Sequence, residues 1–368
     1  MKIGIITQPL HNNYGGLLQN YALQTVLKRM GHEPLTLDWK NKEVPLTFKN
    51  RLARFKGYIY SLSEKTVILK NCNFDSFKND EICRTRPISV CDDFLSVTKE
   101  NDLEAFVVGS DQCWRPMYSY PFLEQMFLSF TKDLKGIKRV AYAASFGTDK
   151  WEFTEDETLR CSSYVKEFDS VTVRESSGIE LCKRYLDVNA NLVLDPTLLL
   201  SECDYVSLIQ GKDLSVSPGS LYYYVLDNNE KINQFINHVS KSTGYRPFCV
   251  SQVNKNIVNY PGEVLPPSVF SWVKGFQDAE MVVVDSFHGM VFSIIFNKPF
   301  WVIGNCSRGL SRFESLLKLL DLEDRLIDVQ MGHRVDLQKK IDWHVVNAKL
   351  SFWKNKSVET LNDILSNE

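Results

Sequence analysis

The sequence predicts an α/β protein of two successive units, each a set of strands interleaved with helices. Three observations predict it. The chain opens on a strand, a glycine loop, a helix and a second strand, which is one βαβ unit. Short apolar runs that end in small polar residues then recur along its length. Finally, it has 368 residues, more than the ~250–300 at which single cores stop growing.

The elements follow in order. "KIGIIT" is the first strand. "NNYGGLLQNYALQTVLKRMG" carries Leu18, Tyr21, Ala22, Thr25 and Val26 at helical spacing and closes on Gly31, a helix stop. "EPLTLDW" is the next strand. "AFVVGSD" (105–111), "RVAYAASFG" (139–147) and "SVTVRESSG" (170–178) each read as a buried strand running into a polar turn. The pattern pauses at "VLDPTLLLSECDY" and restarts with "SLYYYVLD" (220–227), a helix near 229–242 and a strand at "RPFCVSQ". A helix near 268–277, the strand "MVVVDS", a helix from Gly289 and the strand "FWVIG" follow. The changeover falls between about 197 and 218 and is drawn here as a first domain over 1–205 and a second over 206–344. A last amphipathic helix, 345–368, is expected to pack back on the first domain.

Composition narrows the class. The chain is 44% hydrophobic and 24% charged, which excludes disordered and collagen-like sequences. A formal net charge of −2 provides no basic field for nucleic acid. Nine cysteines stand scattered, with no C-x-x-C pair and none at zinc-finger spacing from a histidine. Free thiols fit a reducing cytoplasm. The N-terminus turns polar too soon for a signal peptide, and no apolar run reaches the roughly 18–20 residues of a membrane span. H-E-x-x-H, G-x-S-x-G and EF-hand patterns are absent, so no metal site is expected.

Residues 46–70 differ in tone. Phe48, Leu52, Phe55 and Ile59 share a helical face, surrounded by Lys49, Arg51, Arg54 and Lys56. The pattern suits a helix lying on an anionic membrane surface, and equally a solvated helix packed on its own domain.

Open α/β sheets bind ligands at the carboxyl ends of their strands, so the polar residues just beyond each strand are the candidates. After the first strand come Asn13, Tyr14, Gly15 and Gly16. The two glycines let a ligand approach the backbone, but the G-x-G-x-x-G and Walker patterns are missing. After the third come Ser110, Asp111 and Gln112, with Trp114 beyond. Asp111 suits a sugar hydroxyl, and Trp114 either stacks on a sugar ring or packs in the core. Ser145 ends the next strand. Arg174 offers a planar fork for carboxylate or phosphate, or pairs internally with Glu175 or another carboxylate. In the second unit Asp285, Ser286, Phe287 and His288 precede a helix expected to open at Gly289, whose free N–H groups favour an anion. His288 there is either a proton carrier beside that anion or a helix cap.

Six segments in this order, "NNYGGLLQNYALQ", "VVGSDQCW", "AYAASFG", "SVTVRESSG", "LVLDPTLLL" and "DSFHGMVFSIIFNKPF", followed by "SRGLSRFESLLKLL", resemble the polysaccharide pyruvyl transferases over roughly residues 1–325. The resemblance implies two Rossmann-like domains facing across a cleft, as in the GT-B glycosyltransferases. It implies transfer of pyruvate from phosphoenolpyruvate, a co-substrate, onto two hydroxyls of a sugar, giving a cyclic ketal and phosphate, with no further cofactor. It makes the first domain the acceptor side and the second the donor side. The expected acceptor is a galactose-type hexose of a surface-glycan precursor, free or lipid-linked, with peripheral membrane contact through the basic segment. His288 matches the family's site histidine and Arg174 its donor-binding arginine, and Asp111 is the expected partner in proton transfer. Some members of that family carry arginine two places before the histidine, and others resemble the "DSFHG" of this chain. Ser286 stands there in this chain, so Arg308 or Arg312 is expected to supply that charge. A nucleotide-sugar glycosyltransferase of the same architecture, using Glu314 on a ribose, is the alternative. A glycan-binding relative without activity is a further one.

Overall fold

The structure, a computed structural model, describes residues 1–39, 69–88, 94–227, 229–250, 263–265, 268–304, 309–328 and 335–366. Arg308, and the basic segment read at 46–70 except its last two residues, lie outside them.

Among the described residues two six-stranded parallel sheets carry the fold. The first is built from β1 (Lys2–Ile6), β2 (Glu33–Thr36), β3 (Ala105–Val108), β4 (Lys138–Ala144), β5 (Ser170–Val173) and β6 (Asn191–Leu192), in the order β2-β1-β3-β4-β5-β6. The second contains β7 (Leu221–Tyr224), β8 (Pro247–Val250), β9 (Glu263–Leu265), β10 (Met281–Val284), β11 (Phe300–Ile303) and β12 (Leu326–Ile327), in the order β12-β11-β10-β7-β8-β9. Every residue of β3, β10 and β11 is buried, as expected for strands covered by helices on both faces.

The helices used below are α1 (Tyr14–Arg29), α2 (Leu69–Glu81), α3 (Phe94–Glu100), α4 (Glu155–Val165), α5 (Ser176–Leu181), α6 (Glu202–Ile209), α7 (Glu230–Thr243), α8 (Val269–Asp278), α9 (Phe287–Ile295), α10 (Ser311–Leu320) and α11 (Trp343–Ser366). Among the described residues no helix is long and apolar enough to cross a membrane. α9 is buried at all nine positions, because it lies between its own sheet and the first unit. The seam is aromatic. Tyr14 of α1 stacks on Trp272 of α8 with centroids 5.4 Å apart, and Tyr205 of α6 meets Phe292 of α9 edge-on at 4.7 Å. α11 crosses back over the first sheet: Ser357 Oγ accepts the Leu194 N–H at 3.0 Å, and the carbonyl of Ile364 accepts from Lys138 Nζ at 3.0 Å. Near its start Lys349 pairs with Asp321 at the end of α10.

The chain order reverses at one place in each sheet, between β1 and β3 and between β7 and β10. At such a switch point successive crossovers leave in opposite directions and open a crevice beyond the strand ends. The two crevices face each other.

Candidate active site

The cleft between them has a volume of about 380 Å³. Gln8, Pro9, His11, Asn13, Gly15 and Gly16 follow β1, and Asp111 and Gln112 follow β3. Tyr224 ends β7 and Leu226 lies just beyond it, and Asp285, Ser286, Phe287 and His288 follow β10. Arg312 and Phe313 enter from α10.

Two helix N-termini meet here. Asn13 caps α1, its side-chain oxygen accepting the Gly16 N–H at 3.3 Å, and Ser286 caps α9, its hydroxyl accepting the Gly289 N–H at 3.1 Å. The helix therefore opens at Phe287, two residues before the expected Gly289, and the Gly289 N–H is already satisfied. Gly289 does not line the cleft. A Cβ there would stand 2.7 Å from Ser286 Oγ and 2.8 Å from Val284 Cγ1, so the glycine serves the close packing of α9 on β10. The loops of the two units touch directly: the His288 imidazole lies over Gly15, where a Cβ would collide with its Nδ1.

Behind the cleft wall lies a buried ionic network. Arg174 donates to Asp195 Oδ2 at 2.7 Å and to Asp111 Oδ1 at 3.0 Å, and its guanidinium lies 4.8 Å from the centre of the Phe287 ring. Asp195 also accepts from Ser110 Oγ at 2.9 Å and from the Thr197 hydroxyl at 2.6 Å. Its Oδ2 is 3.8 Å from His288 Nε2, an ion-pair distance longer than a hydrogen bond. Burial favours a neutral Asp195, but His288 beside it, the charge of Arg174 and the Thr197 hydroxyl outweigh that and hold the carboxyl far below the usual range. Burial likewise raises Asp111, and the charges of Arg174 and its neighbours His288 and Arg312 overcome it, leaving the carboxyl lowered. Burial and the like charge of Arg174 push the Arg312 guanidinium down to about 10. Phe287 lies between the two arginines, 5.7 Å from Arg312.

Several expectations change. Trp114 is fully buried, stacked on Phe127 at 4.9 Å with its N–H donated to the Met126 carbonyl at 2.9 Å, so it offers no face to a sugar. The turn after β3 carries it under the sheet. Tyr14 seals the seam between the units. Ser110 is buried against Asp195. Arg174 does not reach the cleft, because its fork is committed to two carboxylates. Glu175 is buried too, accepting the N–H groups of Phe146 and Gly147 at 2.8 and 3.1 Å and the Ser145 hydroxyl at 2.9 Å. Burial raises its carboxyl despite Arg174 and Arg312 nearby. Asn13, Gly15, Gly16, Asp111, Gln112, Ser286, Phe287, His288 and Arg312 all line the cleft. Glu314 is exposed and lines instead a second cavity of about 400 Å³ with Arg115, Thr148 and Glu152.

Sequence reasoning missed Asp195 and His11. Asp195 lies just beyond β6, a strand of two residues, and so short a strand escaped the strand-end rule. His11 lines the cleft, and burial with the nearby Lys78 charge pushes its imidazole below the ordinary value.

The sequence profile of one family, Polysaccharide pyruvyl transferase, matches residues 13–307. The chain belongs to that family. As a polysaccharide pyruvyl transferase family member it is a transferase relative, and the matched region holds Asn13, Asp111, Ser286 and His288 of the cleft, while Gln8, Pro9, His11 and Arg312 lie outside it. No curated protein is significantly similar to it in sequence. Solved structures share the fold. A glycosyltransferase from Rickettsia africae is 10% identical, with a TM-score of 0.54 and full coverage of both chains (100% and 100%). The S. aureus MnaA–UDP structure is 11% identical, at 0.55, covering 99% of this chain and 96% of that one. The UDP-GlcNAc 2-epimerase from Neisseria meningitidis is 8% identical, at 0.51, covering 99% of each. At these identities the likeness concerns the fold alone: two Rossmann-like sheets across a cleft, the GT-B arrangement.

Proposed function

We propose that the cleft transfers pyruvate from phosphoenolpyruvate onto two hydroxyls of a galactose-type hexose in a bacterial surface-glycan precursor, forming a cyclic ketal and releasing phosphate. One observation carries the reading: His288, Arg312 and Asp111 share a cleft on which the N-termini of α1 and α9 converge. Phosphoenolpyruvate brings a carboxylate and a phosphate. Arg312 and the two helix dipoles are the cationic counterpart. His288 delivers a proton to the methylene carbon, which becomes a methyl group, and the neighbouring carbon becomes oxocarbenium-like. One sugar hydroxyl attacks that carbon, phosphate leaves, and the second hydroxyl closes the ring. Of the two hydroxyl protons released, one balances the proton given to carbon and the other leaves with phosphate. Asp111, kept ionised by its cationic neighbours, orients and deprotonates the acceptor. Asp195 lies 3.8 Å behind His288 as its ionic neighbour, and Arg174 helps to keep both aspartates ionised.

The test is acceptor-dependent phosphate release from phosphoenolpyruvate, with a panel of hexosides and lipid-linked glycans. Wild type should release phosphate, His288→Ala should lose about 10²–10⁴-fold in rate, and Asp195→Asn should fall between them. Equal release by wild type and His288→Ala would remove His288 from the chemistry. Calorimetric binding of a nucleotide sugar in place of phosphoenolpyruvate would overturn the reaction itself.

A further inference from the structure

The cleft is graded from buried charge to exposed apolar surface. His288 is 9% exposed and Arg312 7%, whereas Tyr118 is 38% and Met117 63% exposed. Both belong to the short helical turn Pro116–Ser119, which forms the rim of the same cleft on the side of the first unit. The Tyr118 ring is held in place. The Arg115 guanidinium lies 5.3 Å from its centroid, and Arg115 is clamped by two bonds of 3.0 Å to Glu152 and one of 3.2 Å to Gln112. Gln8 Nε2 ties the turn to the loop after β1, donating to the Gln112 carbonyl at 2.9 Å and to Ser119 Oγ at 2.8 Å. One face of the ring is therefore backed by the Arg115 cation, and the residue stays 38% exposed at the rim.

We propose that Tyr118, with Met117 beside it, is the platform on which the acceptor hexose ring lies, with its reacting hydroxyls turned inward to Asp111 and His288. This rests on the transfer reading given above for the choice of a sugar as acceptor. A small trianion belongs with the buried charges. A pyranose presents a patch of C–H groups on one face, and that patch needs an aromatic surface at the wetter end. Galactose-type sugars gather their C–H groups on one side because one hydroxyl is axial, which fits a single exposed ring. A ring already fixed by Arg115 loses little freedom on binding. Trp114, the aromatic that the sequence pattern singled out for this role, points into the core, and Tyr118 four residues later is the one that faces the cleft.

Methyl glycosides of galactose, glucose and mannose are the probes, since an aryl aglycone would itself stack on Tyr118. In phosphate-release kinetics Tyr118→Ala should raise the acceptor KM about three- to tenfold, with kcat and the phosphoenolpyruvate KM unchanged. Tyr118→Phe should behave as wild type. An unchanged acceptor KM in Tyr118→Ala would overturn the platform. Saturation-transfer NMR without phosphoenolpyruvate separates this proposal from the reaction. Ring-proton saturation that Tyr118→Ala abolishes, in a wild type that releases no phosphate, would sustain the platform and remove pyruvyl transfer. Phosphate release with saturation indifferent to Tyr118 would do the reverse. No saturation from wild type to any of the three sugars would overturn the platform.

Discussion

Gly15 and His288 show how closely single residues set this site. The imidazole rests where a Cβ of residue 15 would be, and Gly15→Ala would press on Nδ1, Cγ and Cβ of the ring. The backbone at Gly15 keeps a negative φ that alanine tolerates, in the first turn of α1, so the fold should survive. The ring should move instead. A displacement near 1 Å costs about 10²-fold in rate. Gly15→Ala should therefore keep its circular dichroism and thermal midpoint while losing phosphate release by roughly that factor. Full activity in a folded Gly15→Ala protein would show that the ring position is not critical. The residue scale is also where reading from sequence was least complete. Residue type and strand-end position selected Asp111, Ser286 and His288, the missing family arginine pointed to Arg312, and the cleft contains all four. The same signals selected Trp114 and Arg174, which are buried, because local pattern does not say whether a side chain beyond a strand turns outward or under the sheet.

At the scale of elements, strand–helix alternation was legible wherever a strand had four or more residues. β6, β9 and β12, of two, three and two residues, were not, since so short a run has no period to detect. The start of α9 was misplaced because Ser286 is an N-cap whose bond to Gly289 only the folded turn reveals. α6 carries a prediction. Its cap Ser201 and Asp204 form a reciprocal box, and Asp204 reaches across to Arg29 of α1 at 2.6 Å. Burial opposes ionisation, but Arg29 and the Ser201 donors outweigh it and bring the carboxyl from 3.8 down to about 2. A depressed folded pKa contributes stability that is present above 3.8 and lost as pH falls through about 2. Asp204→Asn should lower the melting temperature at neutral pH, and the gap to wild type should close across that window. A gap independent of pH would assign the effect to capping alone.

The whole molecule depends on the seam between the two sheets. Tyr14, Trp272, Tyr224 and Phe292 interlock there, with Trp272 fully buried between its neighbours. Trp272→Ala should cost about 3–5 kcal/mol by opening a cavity, and it should split urea unfolding into two transitions as the units uncouple. One unshifted transition would show that the seam contributes little. The sequence by itself determined the α/β class, the two successive units and the polar loops at the strand ends. Apolar runs, helical spacing and turn residues are local, and each is written within a dozen residues. Only the tertiary structure decided the strand orders and so the two switch points, and only it brought Gly15 against His288, Arg174 between Asp111 and Asp195, and Tyr118 to the rim. Those are contacts between residues far apart in the chain, and they exist only once both sheets have formed and their crevices face each other.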